Sequence, residues 1–292
     1  MAVIAPSQVS FKEILVASDL SEASENVLGY AKAIAKRFGS HIVLVHVSEA
    51  VNPIALPEGE WIDEDSGVRA GQDLEAAGNA LRAAGFSADA VNTYGDIKEE
   101  IQALSEAHHV DLVILGTHGR RGLNRLLFGS EAEELLRCSD RPVLTVGPSA
   151  AHPRQDPWAP KNILCATSLI PREARIVGYG YKLANSIGAS FALLSVTDPR
   201  RSGDEDQAWR AFEVALANDL PEEAIAKGQI HSLLSGRSPA TNIVDVARTL
   251  KPDLIVMGAK ASNFGMSHLR SGVVGKVLTD APCPVLTIST DI

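Results

Sequence analysis

The residues with the clearest chemical potential form a glycine-rich stretch at 116–130, GTHGRRGLNRLLFGS, which follows the apolar run LVIL. Glycine lets the backbone adopt positive φ angles and approach a ligand closely. Successive backbone N–H groups at the start of a helix bind anions, and the three arginines of the stretch add positive charge. The stretch therefore predicts a phosphate-binding loop.

The spacing of this loop separates it from two common nucleotide-binding loops. It has neither the GK[ST] ending of a Walker loop nor the G-x-G-x-x-G of a dinucleotide site. Gly116 and Gly119 are followed, after nine residues, by Gly129 and Ser130, which gives G-x2-G-x9-G-[ST]. Ligands of parallel sheets bind beyond the carboxyl ends of the strands, where Asp19 follows an earlier strand. We therefore expect Asp19 to face the same ligand.

Strands that alternate with helices must position these residues. This alternation predicts a parallel sheet with right-handed crossovers, and near-continuous apolar strands indicate a sheet covered on both faces. The segment 50–66 is predicted to be an irregular loop or lid. In the first half, the predicted strands are 14–18, 41–47, 88–93, 111–116 and 142–146, and the predicted helices are 21–38, 69–84, 97–107 and 131–138.

The same order of segments occurs twice along the chain. EILVASDLSEA at 13–23 resembles NILCATSLIPR at 162–172, an offset of 149, and RPVLTV at 141–146 resembles CPVLTI at 283–288, an offset of 142. The segment 148–160, PSAAHPRQDPWAP, is rich in proline and is typical of a semi-rigid linker. The sequence therefore predicts a domain at 10–147, a linker at 148–160 and a second domain at 161–290.

The glycine-rich loop, Asp19, the second strand LVHV and the closing RPVLTV together resemble the ATP-binding branch of the universal stress protein family. The resemblance covers 10–147 and, more weakly, 161–290. It implies an α/β fold of two tandem Rossmann-like, adenine nucleotide alpha hydrolase-like domains, each a five-stranded parallel sheet with helices on both faces. It also implies that 142–146 and 284–288 pair antiparallel, as an intrachain pseudo-dimer.

The resemblance implies an adenine nucleotide, ATP, AMP or ADP, with Mg²⁺ held through the nucleotide at Asp19. Asp19 would contact the ribose or adenine, and the backbone of Val47 would meet adenine. The stretch 116–122 would wrap the ribose and α-phosphate, and 129–131 would donate N–H groups to the β- and γ-phosphates. The expected nucleotide-binding residues are Ala17, Ser18, Asp19, Val47, Gly116, Thr117, His118, Gly119, Arg120, Gly122, Gly129, Ser130 and Glu131.

The second copy keeps the strands but changes these positions. Side chains at 261 and 271 would crowd a phosphate that approaches the backbone. We therefore expect about one nucleotide per chain, in the N-terminal half, and a second domain that is mainly structural or binds something different. Asp19, Gly119, Gly129 and Ser130 correspond to Ser168, Ala261, Ser271 and Gly272.

Structural interpretations of the same residues stay open. Ser130 with Glu133 is also a helix capping box, and Asp19 before Ser21 is also a candidate N-cap. The arginines of the loop also fit a solvated surface. A strand-end aspartate also suits a receiver domain, but such a domain needs an acidic cluster and a phosphoacceptor after a central strand, and 94–96 does not supply this combination.

Composition limits the classes of partner. The net charge of −9 and the 5% of aromatic residues argue against a nucleic acid or an anionic membrane as partner. Three separated cysteines form no zinc pattern, and the start MAVIAPSQVS has no secretory signal, so we expect a cytoplasmic protein.

No acid–base pair accompanies Asp19, so binding is expected rather than catalysis, with at most weak ATP hydrolysis. The favoured function is a nucleotide-dependent stress-response or signalling protein. A slow ATPase or other nucleotide-processing enzyme and a ligand-free interaction scaffold remain the alternatives. The residues do not decide whether whole chains form homodimers.

Overall fold

Two similar α/β units follow one another along the chain. Among the residues that the structure describes, no helix is long and apolar enough to cross a membrane. The computed structural model describes residues 8–21, 23–48, 64–116, 135–136, 139–153, 156–168, 170–197, 210–215, 217, 229–234, 237–259 and 272–289.

Each unit contributes strands to one mixed sheet. The strands are β1 (Glu13–Ala17), β2 (His41–Ser48), β3 (Ser87–Tyr94), β4 (Leu112–Gly116), β5 (Val143–Val146), β6 (Asn162–Thr167), β7 (Ser190–Thr197), β8 (Gln229–Leu234), β9 (Leu254–Ala259) and β10 (Val285–Ser289). Their order across the sheet is β3-β2-β1-β4-β5-β10-β9-β6-β7-β8. All pairs within each unit are parallel.

Helices cover both faces of this sheet, because its strands are apolar on both sides. In β1, Ile14 and Val16 join the core cluster on one face, whereas Leu15 joins the cluster on the other. The described helices on the first face are α1 (Ala23–Phe38), α2 (Glu64–Ala83) and α4 (Ala174–Ile187); those on the second are α3 (Ile97–Ala107), α5 (Pro239–Leu250) and α6 (Val273–Asp280).

The largest departure from the sequence prediction is the start of α2. The helix begins at Glu64 rather than Arg69, so 64–66 belong to a helix and not to the predicted lid. Val68, the one apolar residue among 64–68 apart from Gly67, is 60% exposed, so this stretch offers no buried apolar position from which to read a helical period. The rest of the predicted lid, 50–63, lies outside the described residues, as does most of the predicted helix 131–138.

Strands β5 and β10 pair antiparallel and join the two units; we call this pairing the seam. Leu144 lies opposite Leu286, its own counterpart at the offset of 142, so the seam has a local pseudo-two-fold axis. Both leucines are buried, and Thr287 Oγ1 donates a hydrogen bond to Val143 O at 3.2 Å. The expected antiparallel pairing within the chain is confirmed. The seam covers two strand edges that would otherwise lack hydrogen-bond partners.

An aspartate fastens the start of the central strand in each unit; we call this contact the amino-end clamp. In the first unit, Asp111 Oδ2 accepts hydrogen bonds from the backbone N–H groups of Lys12 and Glu13, at 2.7 and 3.0 Å. In the second, Asp253 Oδ2 accepts the equivalent pair from residues 161 and 162, at 2.8 and 3.1 Å. The two units therefore share this end of the sheet in detail.

Candidate functional site

The carboxyl ends of β1, β2 and β4 form one edge of the first unit. Strand β1 pairs with β2 on one side and with β4 on the other, so the chain order reverses between β1 and β4. Such a reversal opens a crevice at the carboxyl ends, where ligands of open α/β sheets bind. Asp19 follows β1 directly, Val47 lies in β2, and Gly116 ends β4. Ala17 ends β1 and Ser18 follows it, so all five predicted residues that the structure describes lie at the carboxyl ends of these three strands.

Asp19 is held in a tight turn between β1 and α1. Its Oδ1 accepts hydrogen bonds from the backbone N–H of Ser21 at 3.1 Å, from Ser21 Oγ at 2.7 Å and from Ser24 Oγ at 2.6 Å. The bond to the N–H two residues ahead is an Asx turn, and it precedes the first residue of α1. Asp19 therefore shapes the connection between β1 and α1, and its half-buried carboxylate has a fixed position.

The neighbouring backbone is fixed just as firmly. Ser18 N donates to Val45 O at 2.9 Å, which extends the ladder between β1 and β2 past the end of the strand. Ser18 Oγ accepts from the N–H of Leu20, whose φ of 59° is in the left-handed region. The ring of His46 lies 2.9 Å from Ser18 O through Nδ1. His46 thus binds the turn that presents Asp19, as well as lying in β2.

The phosphate half of the predicted site falls on residues of which no geometry is described. Thr117, His118, Gly119, Arg120, Gly122, Gly129, Ser130 and Glu131 lie outside the described residues, and so do Ala261 and Ser271 of the second copy.

The residues at 94–96 have a structural role. Asp96 Oδ1 accepts the N–H of Glu99 at 3.1 Å and caps α3. Gly95 has a φ of 152° and donates its N–H to Ser48 O at 3.1 Å, which closes the end of β2 against β3. These contacts give the strand end a turn and a helix cap. Within the described residues, no group of three or more His, Cys, Asp or Glu side chains could hold a metal ion.

The second unit places its carboxylate differently at the matching edge. Ser168 stands where the first unit has Asp19, and Glu173 stands where it has Ser24. Glu173 Oε2 accepts hydrogen bonds from Thr167 Oγ1 at 2.8 Å and from the N–H of Ser168 at 2.6 Å. Both units therefore bridge the strand end to the following helix through a carboxylate, which comes from the strand side in one and from the helix side in the other.

A family model of the universal stress proteins matches residues 10–147 and again 160–289, which together include both units and both strand-end turns. The chain belongs to the universal stress protein family. The two matches follow one another in the order that the repeat predicts, so this is a tandem member with two universal stress protein domains.

Single-domain relatives match half of this universal stress protein. Universal stress protein MJ0577 of Methanocaldococcus jannaschii is 26% identical over 155 residues, which are 47% of this chain and 96% of the relative. Universal stress protein MJ0531 of the same organism is 30% identical over 139 residues, 47% of this chain and 82% of the relative. A crystal structure of a universal stress protein from Archaeoglobus fulgidus matches 97% of this chain and 98% of its own, with 21% identity and a TM-score of 0.72. That likeness confirms the two-unit fold.

Sequence reasoning missed the residues that hold the strand-end turns of this universal stress protein. Ser24 and His46 fix the position of Asp19, and Glu173 takes over as the carboxylate of the second unit. The available signal was the exchange of Asp19 and Ser24 for Ser168 and Glu173 at one offset. Read as a pair, the two changes move a single charge by five residues.

Proposed function

We propose that this universal stress protein binds ATP, or another adenine nucleotide, in its N-terminal domain and acts as a nucleotide-dependent stress-response protein. The observation that supports this most is the position of Asp19. Its carboxylate is fixed beside the reversal of strand order, and Gly116, the first glycine of the predicted phosphate loop, ends the adjacent strand β4. Domain bounds of 10–147 and 161–290, with a linker at 148–160, are part of the proposal.

The crevice between β1 and β4 suits the sugar end of a nucleotide. A carboxylate accepts hydroxyl hydrogens well, and ribose offers such donors. The half-buried Val47 lies on β2, on the other side of β1, and packs against the core as an apolar wall for the base. In this proposal the loop from Gly116 to Gly129 holds the phosphates, with Ser130 and Glu131 at the start of the following helix. Mg²⁺ arrives with the nucleotide and contacts Asp19.

Calorimetry with ATP and Mg²⁺ tests the proposal on the full chain. The wild type should show about one site per chain. Gly129→Glu should weaken binding by about 100-fold or more, because a carboxylate against the phosphates adds repulsion where backbone should approach. Ser271→Glu is the matched control, since it introduces the same glutamate at the equivalent position of the second domain and should leave ATP binding unchanged.

Two results would overturn the proposal. One is a wild type that binds no adenine nucleotide and retains none on purification. The other is equal binding by the wild type and Gly129→Glu. If Ser271→Glu lost ATP binding and Gly129→Glu did not, the nucleotide site would lie in the second domain, and the proposed site in the first domain would be contradicted.

A further inference from the structure

A cavity of about 320 Å³ opens at the carboxyl ends of β6, β7 and β9 in the second domain. Its walls include Ser168 after β6, Val196 in β7 and Gly258 in β9, together with Ile243 of α5 and Val273 of α6. This is the position that the crevice of the first domain occupies in its own sheet. The volume lies at the low end of the range for small-molecule pockets.

The wall of this cavity is mostly apolar, and specific exchanges make it so. Ile170 replaces Ser21 at the offset of 149, and Val273 replaces Glu131 at the offset of 142. Gly272 caps α6 without a side-chain hydrogen bond, and the helix then opens on two β-branched valines that line the cavity. An anion would have to lose its hydration against this apolar wall, which is costly. Arg172 is the one cation among the described lining residues and stands beside the opposite charge of Glu173, so the mostly apolar wall disfavours a phosphate at the place where the first domain is expected to bind one.

One polar group in the wall has unused capacity. Oε2 of Glu173 accepts the bonds from Thr167 and Ser168, but within the described residues Oε1 of the same carboxylate accepts none. A carboxylate has about four sites for hydrogen-bond donors. Burial and the nearby Glu173 charge together raise the pKa of the Cys165 thiol, burial contributing more, so this thiol is no competing anion. The wall thus offers a negative acceptor within an apolar surface.

We propose that the second domain binds a small, uncharged, apolar molecule that carries one hydroxyl or amine hydrogen, and that it excludes nucleotides. The apolar body would fill the space lined by Ile170, Ile243 and Val273, and the donor would bond to Glu173. This site is separate from the proposed nucleotide site and does not depend on it.

Fluorescence titration with N-phenyl-1-naphthylamine tests the proposal, since this probe is neutral and apolar and has a single N–H. The full-length wild type should bind it saturably at about one site per chain. Val273→Glu, which restores the residue of the first domain, should weaken binding by about tenfold or more, because a charge then faces the apolar body. Val68→Glu makes the same change on an exposed valine of α2 and should alter binding less than about twofold.

The role of Glu173 is tested with 1-phenylnaphthalene, which has a similar body but no N–H. The wild type should prefer the amine by about tenfold or more, the equivalent of one hydrogen bond to a charged acceptor. Glu173→Gln should reduce this preference to less than about twofold, because a neutral acceptor is weaker. Equal binding of both probes by the wild type would contradict the assigned donor.

The location is tested with the first domain disabled. Gly129→Glu should keep probe binding intact, and millimolar ATP should not displace the probe from the wild type. Ile170→Ser provides a second cavity variant, which should also weaken the probe if Val273→Glu unfolds the domain. Absence of saturable binding by the wild type, displacement by ATP, or full binding by both cavity variants would overturn the proposal. None of these results decides whether the first domain binds ATP.

Discussion

The two domains are nearly the same at the amino ends of their strands and differ at the carboxyl ends. The amino-end clamp recurs with both of its hydrogen bonds, and Gly39 and Gly188 end the first helix of each domain with φ angles of 65° and 74°. At the carboxyl ends, by contrast, Asp19 and Glu173 come from different elements and border different walls. The comparison separates residues that any copy needs in order to fold from residues that only a ligand needs.

The seam offers the most sensitive test of this equivalence, because its pseudo-two-fold axis passes between Leu144 and Leu286 and relates the one to the other. Leu144→Ala and Leu286→Ala should each lower the free energy of unfolding by about 3 kcal/mol, since each removes a fully buried side chain. Urea denaturation followed by circular dichroism would measure both. A difference between the two variants of more than about 2 kcal/mol would show that the pseudosymmetry of the backbone does not extend to the energetics.

The clamp should show a smaller and equally matched effect. Asp111→Ala and Asp253→Ala should each lower the free energy of unfolding by about 1–2 kcal/mol, because two backbone N–H groups at a partly exposed strand start lose their acceptor. Urea denaturation would measure both. Asp111→Asn should recover part of that loss, since it keeps one acceptor oxygen. The clamp lies at the opposite edge from the proposed nucleotide site, so ATP affinity should stay unchanged. A large fall in the ATP affinity of Asp111→Ala would contradict the conclusion that the amino ends of the strands serve folding and not ligand binding.

Cys165 is a mismatch inside the shared core, since Val16 occupies the same position in the first domain. Its raised thiol pKa means that the proton stays on in the folded protein and leaves in the unfolded chain as the pH rises past about 8.5. The associated stability is therefore complete below that pH and is lost above it. Cys165→Val should change stability little at pH 7 and reduce the loss at pH 9 by about 0.8 kcal/mol. If the free energy of unfolding of the wild type and of Cys165→Val changed in parallel from pH 7 to 10, the raised pKa of Cys165 would be contradicted.

The strands were predictable to within one or two residues because their apolar runs face helices on both sides. Strand β4, observed at Leu112–Gly116 and predicted as 111–116, is an example, and the end of β2 likewise differs by one residue. The start of α2 was not predictable, because Val68 in its first turns is 60% exposed and gives no buried apolar position from which to read a helical period. The apolar periodicity of a sequence reflects burial, and it gives no signal where a helix extends into solvent.

The position of Asp19 at the carboxyl ends of the strands could be predicted from the order of strands along the chain alone. The contacts that fix it did not, because Leu20 turns the backbone through a positive φ and brings Ser24 back to Asp19. A residue pair five apart in sequence meets only through that turn. The same reason concealed the role of Glu173, which a position-by-position comparison with Asp19 treats as a simple loss.

The seam joins residues 142 positions apart, and this has a consequence for synthesis on the ribosome. At about 5–20 residues per second, strand β10 follows β5 by roughly 7–30 seconds. During that interval a folded first domain presents the unpaired edge of β5, whose four residues are buried in the finished protein. Neighbouring nascent chains on one messenger can supply the same strand to each other. Dense translation therefore favours exchange between chains, and a slow second half prolongs the period in which it can occur.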